Sequence, residues 1–190
     1  MFRRLPFASL FLVVSFLPLS WLWMMSVHEL GHVVGARCSG GTVTFVELHP
    51  LTISRTDVQP NPSPLLVVWC GPIIGCLVPT VVWGIARLAK WQGEFLLRFL
   101  AAFCLVSNGV YIGIGGFELV GDAGDMLRLG SPAWLLWLFG LCTVGLGFGL
   151  WNGLGPQFGM GQQSERVSSI WVLLSFGLLV VTVLLMLLKS

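Results

Sequence analysis

Charge is what this chain has least of. Ten Lys and Arg and eight Asp and Glu make up 9% of its 190 residues, against roughly 25% in ordinary soluble domains. So few ionised groups cannot clothe a water-facing surface. With a mean hydropathy of +0.90, the composition excludes disorder and argues against a soluble fold. The formal net charge is only +2, and the basic residues form no stripe interleaved with aromatics, so no nucleic-acid partner is expected. The five cysteines (Cys38, Cys70, Cys76, Cys104 and Cys142) contain no CxxC pair, and four of them lie in apolar spans. Neither a disulfide framework nor a cysteine zinc site is indicated. No internal repeat and no appended soluble domain stand out.

What the chain does have is long apolar runs. A helix needs about 20 residues to cross a hydrocarbon core, and five stretches qualify: residues 5–36, 65–88, 95–120, 132–151 and 168–188. The first follows Met1-Phe2-Arg3-Arg4 and imitates a secretory signal. However, the bulky Pro18-Leu19-Ser20-Trp21-Leu22-Trp23 offers no small-x-small cleavage site, so the run is read as a retained transmembrane helix. Between the first two spans, Thr42–Leu48 alternates with period two and reads as a short strand. Leu51–Val58 is its candidate hairpin partner, and Pro60, Pro62 and Pro64 then break the chain. Residues 152–166 read as a Gly/Gln/Ser loop without a motif. The expected fold class is an all-α polytopic membrane protein, with about five transmembrane helices and a small β-hairpin-like element after the first. It forms one membrane domain over residues 1–190, a multi-pass integral membrane protein whose solvent is the lipid bilayer.

At the end of the first apolar run stands His28-Glu29-Leu30-Gly31-His32, an HExxH motif. Given only three histidines and five glutamates, chance would produce this pattern about once in a thousand such chains, well below the usual false-positive risk. Residues four apart share a helix face, so His28 and His32 can present two imidazole nitrogens to one ion. Glu29 is offset by about 100° of rotation, beside the metal rather than on it, where it can accept a proton from metal-bound water. Ionisable groups in a bilayer segment are functional candidates by default.

A catalytic zinc takes three protein ligands and a water. Four further side chains are candidates for the third place: His49 in the polar loop beside Pro50, Glu118, Asp122 and Asp125. The last three lie where the glycine-rich end of the third span breaks. Asp122 and Asp125 are three apart and would share a helix face, so spacing alone does not choose between them.

Over residues 21–130 the sequence resembles the site-2 protease family of intramembrane zinc metalloproteases. The histidine-glutamate motif is the strongest element. Asp122-Ala123-Gly124-Asp125 is similar to the family's Asp-Gly segment, Gly71-Pro72 to its Gly-Pro element, and Thr42–Leu48 to its membrane-associated β element. The chain departs from the pattern at Ala123, which stands where the family has Gly, and lacks both the Asn-x-x-Pro before Asp122 and the Asn after the Gly-Pro element. It also lacks PDZ and CBS modules, so it would be a minimal core of residues 5–130 with two additional C-terminal helices.

The resemblance implies Zn2+ held by His28, His32 and Asp122, with Glu29 as general base. It implies an intramembrane metalloendopeptidase acting on transmembrane protein substrates, with an extended substrate pairing against the Thr42–Leu48 edge. The other readings are a catalytically degenerate metal-binding membrane protein with a structural or partner-binding role, and a solute transporter. The transporter reading is weakened by the lack of repeat symmetry.

Overall fold

A backbone in hydrocarbon must satisfy its own hydrogen bonds, which makes each apolar run a helix. The computed structural model describes residues 7–161 and 166–189. Within them the chain forms α1 (Phe7–Cys38), β1 (Val43–Glu47), β2 (Arg55–Val58), α2 (Pro64–Leu88), α3 (Glu94–Glu118), α4 (Gly121–Arg128), α5 (Ala133–Trp151) and α6 (Ser169–Lys189). All of these helices except α4 are long and apolar enough to cross a membrane. The expected start of the first span at Leu5 lies outside the described residues.

α1 packs on α2 and α6, α2 on α3, and α3 on α5. The α3–α5 contact is close because glycine meets glycine: a Cβ on Gly140 would stand 2.8 Å from the Gly109 carbonyl and 2.9 Å from Gly113 Cα. Small residues of this kind let membrane helices approach where lipid supplies no hydrophobic drive. One core cluster joins Leu12, Phe16 and Leu19 of α1 to Phe95, Leu96 and Leu100 of α3. A second, built from Val68, Ile112, Ala123, Met126 and Leu136, ties α2, α3, α4 and α5 together.

β1 and β2 are antiparallel, with Val46 opposite Thr56 and Glu47 opposite Arg55. The second strand is shorter than expected and begins at Arg55. Leu51 and Ile53 lie instead in the hairpin loop, 87% and 90% exposed.

Two further elements differ from the sequence reading. The third span does not run to Val120. α3 ends at Glu118, where Leu119 turns left-handed (φ 56°) and its N–H caps the Gly115 carbonyl. Gly121 is also left-handed (φ 57°), and a Cβ there would collide with the Tyr111 hydroxyl. This tight turn starts α4, whose Ala123 and Met126 are fully buried while Asp125 faces out. Eight residues carry too little periodicity to be recognised as a helix. The second difference lies in the stretch 152–166, which includes a 3-10 turn at Gly155–Phe158. Phe158 packs there on Phe95 and Phe99, with ring centroids 5.4 and 5.3 Å away.

Candidate metal centre

α1 places His28 and His32 one turn apart on its buried side, and glycines make the room for their rings. A Cβ on Gly31 would overlap the Cys70 carbonyl, and one on Gly71 would overlap the His32 imidazole. Without those side chains the α2 backbone approaches the motif closely enough for His32 Nδ1 to donate to the Val67 carbonyl at 2.9 Å. His28 Nδ1 donates to Asn108 Oδ1 of α3 at 2.7 Å. The Asn108 amide is oriented by its own Nδ2, which donates to the Cys104 carbonyl at 2.9 Å. A Cβ on Gly75 would sit 3.0 Å from Asn108 Nδ2, so glycine at 75 leaves that amide its place.

These partners decide the tautomers. Each Nδ1 faces an oxygen that can only accept, so each neutral ring carries its proton on Nδ1 and its lone pair on Nε2. The two Nε2 atoms stand 3.1 Å apart, and Asp122 Oδ2 lies 2.8 Å from one and 3.2 Å from the other. Three electron-pair donors at this range repel unless a proton or a cation lies among them. A tetrahedral ion with ligands at about 2.0–2.1 Å has ligand–ligand edges of about 3.3–3.4 Å; the edges here, 2.8, 3.1 and 3.2 Å, are somewhat shorter, so the donors need only spread slightly to take one. His28, His32 and Asp122 could therefore hold a metal ion, and they are the one such group of three among the described residues.

Asp122 is brought there by α4. Ala123 and Met126 anchor the helix in the core, and the Asp122 N–H donates to the Tyr111 hydroxyl at 3.0 Å. The Tyr111 ring stands edge-on to His28, with centroids 5.9 Å apart. Burial by itself would raise the Asp122 carboxyl; when a proton rather than a metal ion lies among the donors, hydrogen bonds from His28 and His32 and the positive charge of a protonated ring outweigh it. The group is held well below the usual carboxylate range, in the anionic form a cation needs.

The other candidates go elsewhere. Asp125 is exposed and pairs with Arg128 at 2.5 Å. Glu118 ends α3 and is exposed, and because that helix does not continue it does not share a face with Asp122. His49 lies in the hairpin loop and accepts the Leu51 N–H at 3.2 Å. Glu29 is 3% exposed and accepts a hydrogen bond on Oε2 from the Thr56 hydroxyl at 2.6 Å.

A cavity of about 1150 Å³ opens over the site, lined by His28, Glu29, His32, Asp122, Thr56 and Tyr111 among others. Residues of β2 line it and those of β1 do not. The Thr42–Leu48 edge expected to meet a substrate is thus not the one on the cavity.

Three partners escaped the sequence reading of the site. Asn108 is the most legible of them, as a lone amide in an apolar span. Thr56 and the Val67 carbonyl carried no signal, because their roles depend on which elements pack together. Replacing Asn108 with Ala is expected to weaken metal affinity about 10–100-fold, the usual effect of losing an orienting partner. Competition with a chromophoric chelator measures it, and an unchanged affinity would mean that His28 needs no help from α3.

Comparisons with protein-family models, with curated proteins and with solved structures return no match.

Proposed function

We propose that this chain is an intramembrane zinc metalloendopeptidase of the site-2 protease type. One observation carries the reading. Two imidazole lone pairs and a carboxylate oxygen converge to 2.8–3.2 Å of one another, with a buried carboxylate at the next residue of the same helix. A donor set of two nitrogens and one oxygen suits zinc. When bound, zinc supplies a Lewis acid for the scissile carbonyl and lowers the pKa of a water to about 7.

The chain's own residues supply the rest. Asn108 and the Val67 carbonyl orient the rings, and Glu29 on the cavity wall takes a proton and later returns it to the leaving amine. A bundle wall that includes Met24, Met25, Val106 and Val110 gives an apolar segment a surface to enter along. A helical segment hides its carbonyls in its own hydrogen bonds and must be extended to be cut. The strand on the cavity is β2, and its main chain is where an extended segment gains pairing. The Asn108 amide of α3 lies beside Gly75, in the neighbourhood where the family pattern has its asparagine after the Gly-Pro element.

Purified in detergent, the protein is expected to carry about one zinc per chain by elemental analysis and to cleave a transmembrane substrate. Asp122→Ala removes a direct ligand and should lose the metal, whereas Asp125→Ala should keep it. A larger loss from Asp125→Ala would mean the wrong carboxylate has been assigned. Stoichiometric zinc without cleavage of any transmembrane substrate would favour a metal-binding protein without catalysis.

A further inference from the structure

The hairpin has little of its own to hold it in place. Two-stranded hairpins are at best marginally stable in water, and this one carries a bulge between Val43 and Phe45. Along β2 the side chains alternate: Arg55 and Asp57 are exposed and pair with each other at 3.7 Å, while Thr56 and Val58 are half-buried. The hairpin rests on α1. Its polar link to that helix is the 2.6 Å bond from the Thr56 hydroxyl to Glu29 Oε2. This distance lies in the short range of hydroxyl–carboxylate bonds, which are about twice as strong as neutral ones. From the other side, a buried carboxylate is costly unless it is hydrogen-bonded. Each partner therefore needs the other.

We infer that Thr56 is a positioning residue that latches β2 onto Glu29, so that seating the hairpin and orienting the base are a single event. The inference rests on the reading of Glu29 as general base. With Oε2 occupied by Thr56, the second oxygen, Oε1, is left to serve the cavity. The strand that offers its main chain to a substrate then also sets the angle of the carboxylate that acts on it. When the hairpin lifts, the base loses its orientation and the cavity loses one wall together.

The test uses the full chain in detergent and reads amide hydrogen exchange across residues 55–58. Thr56→Val keeps the shape of the side chain and removes its donor, and should speed exchange about tenfold or more, the scale of a hydrogen bond to a charged group. Glu29→Ala should speed it by a similar factor. Because both break one bond, the double variant should exchange no faster than the faster single variant. Thr56→Ser keeps the donor and should behave as wild type.

Wild-type exchange in Thr56→Val, additive effects in the double variant, or loosening in Thr56→Ser as large as in Thr56→Val would each overturn the latch. In a cleavage assay, Thr56→Val should lower kcat and raise KM together, because the base and the pairing strand loosen as one, and Thr56→Ser should restore both; an unchanged kcat in Thr56→Val removes the positioning role. Exchange reads the latch whether or not the protein cleaves anything. The expected exchange pattern in a protein that cleaves no substrate therefore counts against the peptidase reading and not against the latch.

Discussion

Glu29→Gln is expected to keep its zinc and its fold and to lose cleavage by a factor of about 10²–10⁴, the usual cost of removing a general base. The glutamine has nearly the volume of the glutamate. Its carbonyl oxygen can still accept the Thr56 hydroxyl that now bonds Oε2 at 2.6 Å, so β2 stays seated and the cavity keeps its shape. What it cannot do is take up a proton at the cavity. The factor corresponds to about 3–5 kcal/mol of transition-state stabilisation, far more than one altered neutral hydrogen bond contributes. The measurement is a single-turnover rate on a transmembrane substrate, with zinc content determined on the same preparation. Cleavage at the wild-type rate by a zinc-loaded Glu29→Gln protein would falsify the assigned mechanism.

Changing His28 and His32 together to Ala should abolish stoichiometric zinc. The triangle of donor atoms contains only three protein ligands, and Asp122 alone provides one oxygen, which leaves no chelate. The His28 substitution also strands a partner: Asn108 Oδ1 loses its donor at 2.7 Å, while the Val67 carbonyl, inside α2, loses only its side-chain donor at 2.9 Å. An unsatisfied buried polar group costs about 1–3 kcal/mol. A thermal melt should accompany the zinc measurement so that loss of metal is not confused with loss of fold. A folded double variant that still holds one zinc per chain would place the metal elsewhere.

The transmembrane helices were legible because bilayer thickness sets a length, and a run of apolar residues either meets it or does not. Gly31 and Gly71 were visible as residues, but not as the close approach of α1 to the α2 backbone and the clearance for two imidazoles, because those roles need α1 and α2 side by side. Asn108 stands 80 positions from the ring it orients, and no local pattern links the two. α4 was hidden for a different reason: eight residues with a charged face resemble a loop. Its helical form became definite only because Ala123 and Met126 find Ile112 and Leu136 to pack against.

The sequence by itself determined the solvent and the chemistry on offer. Scarce charge makes the chain a bilayer protein, and the spacing of four between His28 and His32 puts two nitrogens on one helix face. The third donor could not be chosen that way, since Asp122 and Asp125 are equally spaced candidates on a short segment. Tertiary structure made that choice. The left-handed turn at Leu119 and Gly121 and the buried face of α4 direct Asp122 inward to the two Nε2 atoms, while Asp125 is left to Arg128 at the surface. Helical periodicity fixes which residues share a face, but only packing against other helices decides which face is buried.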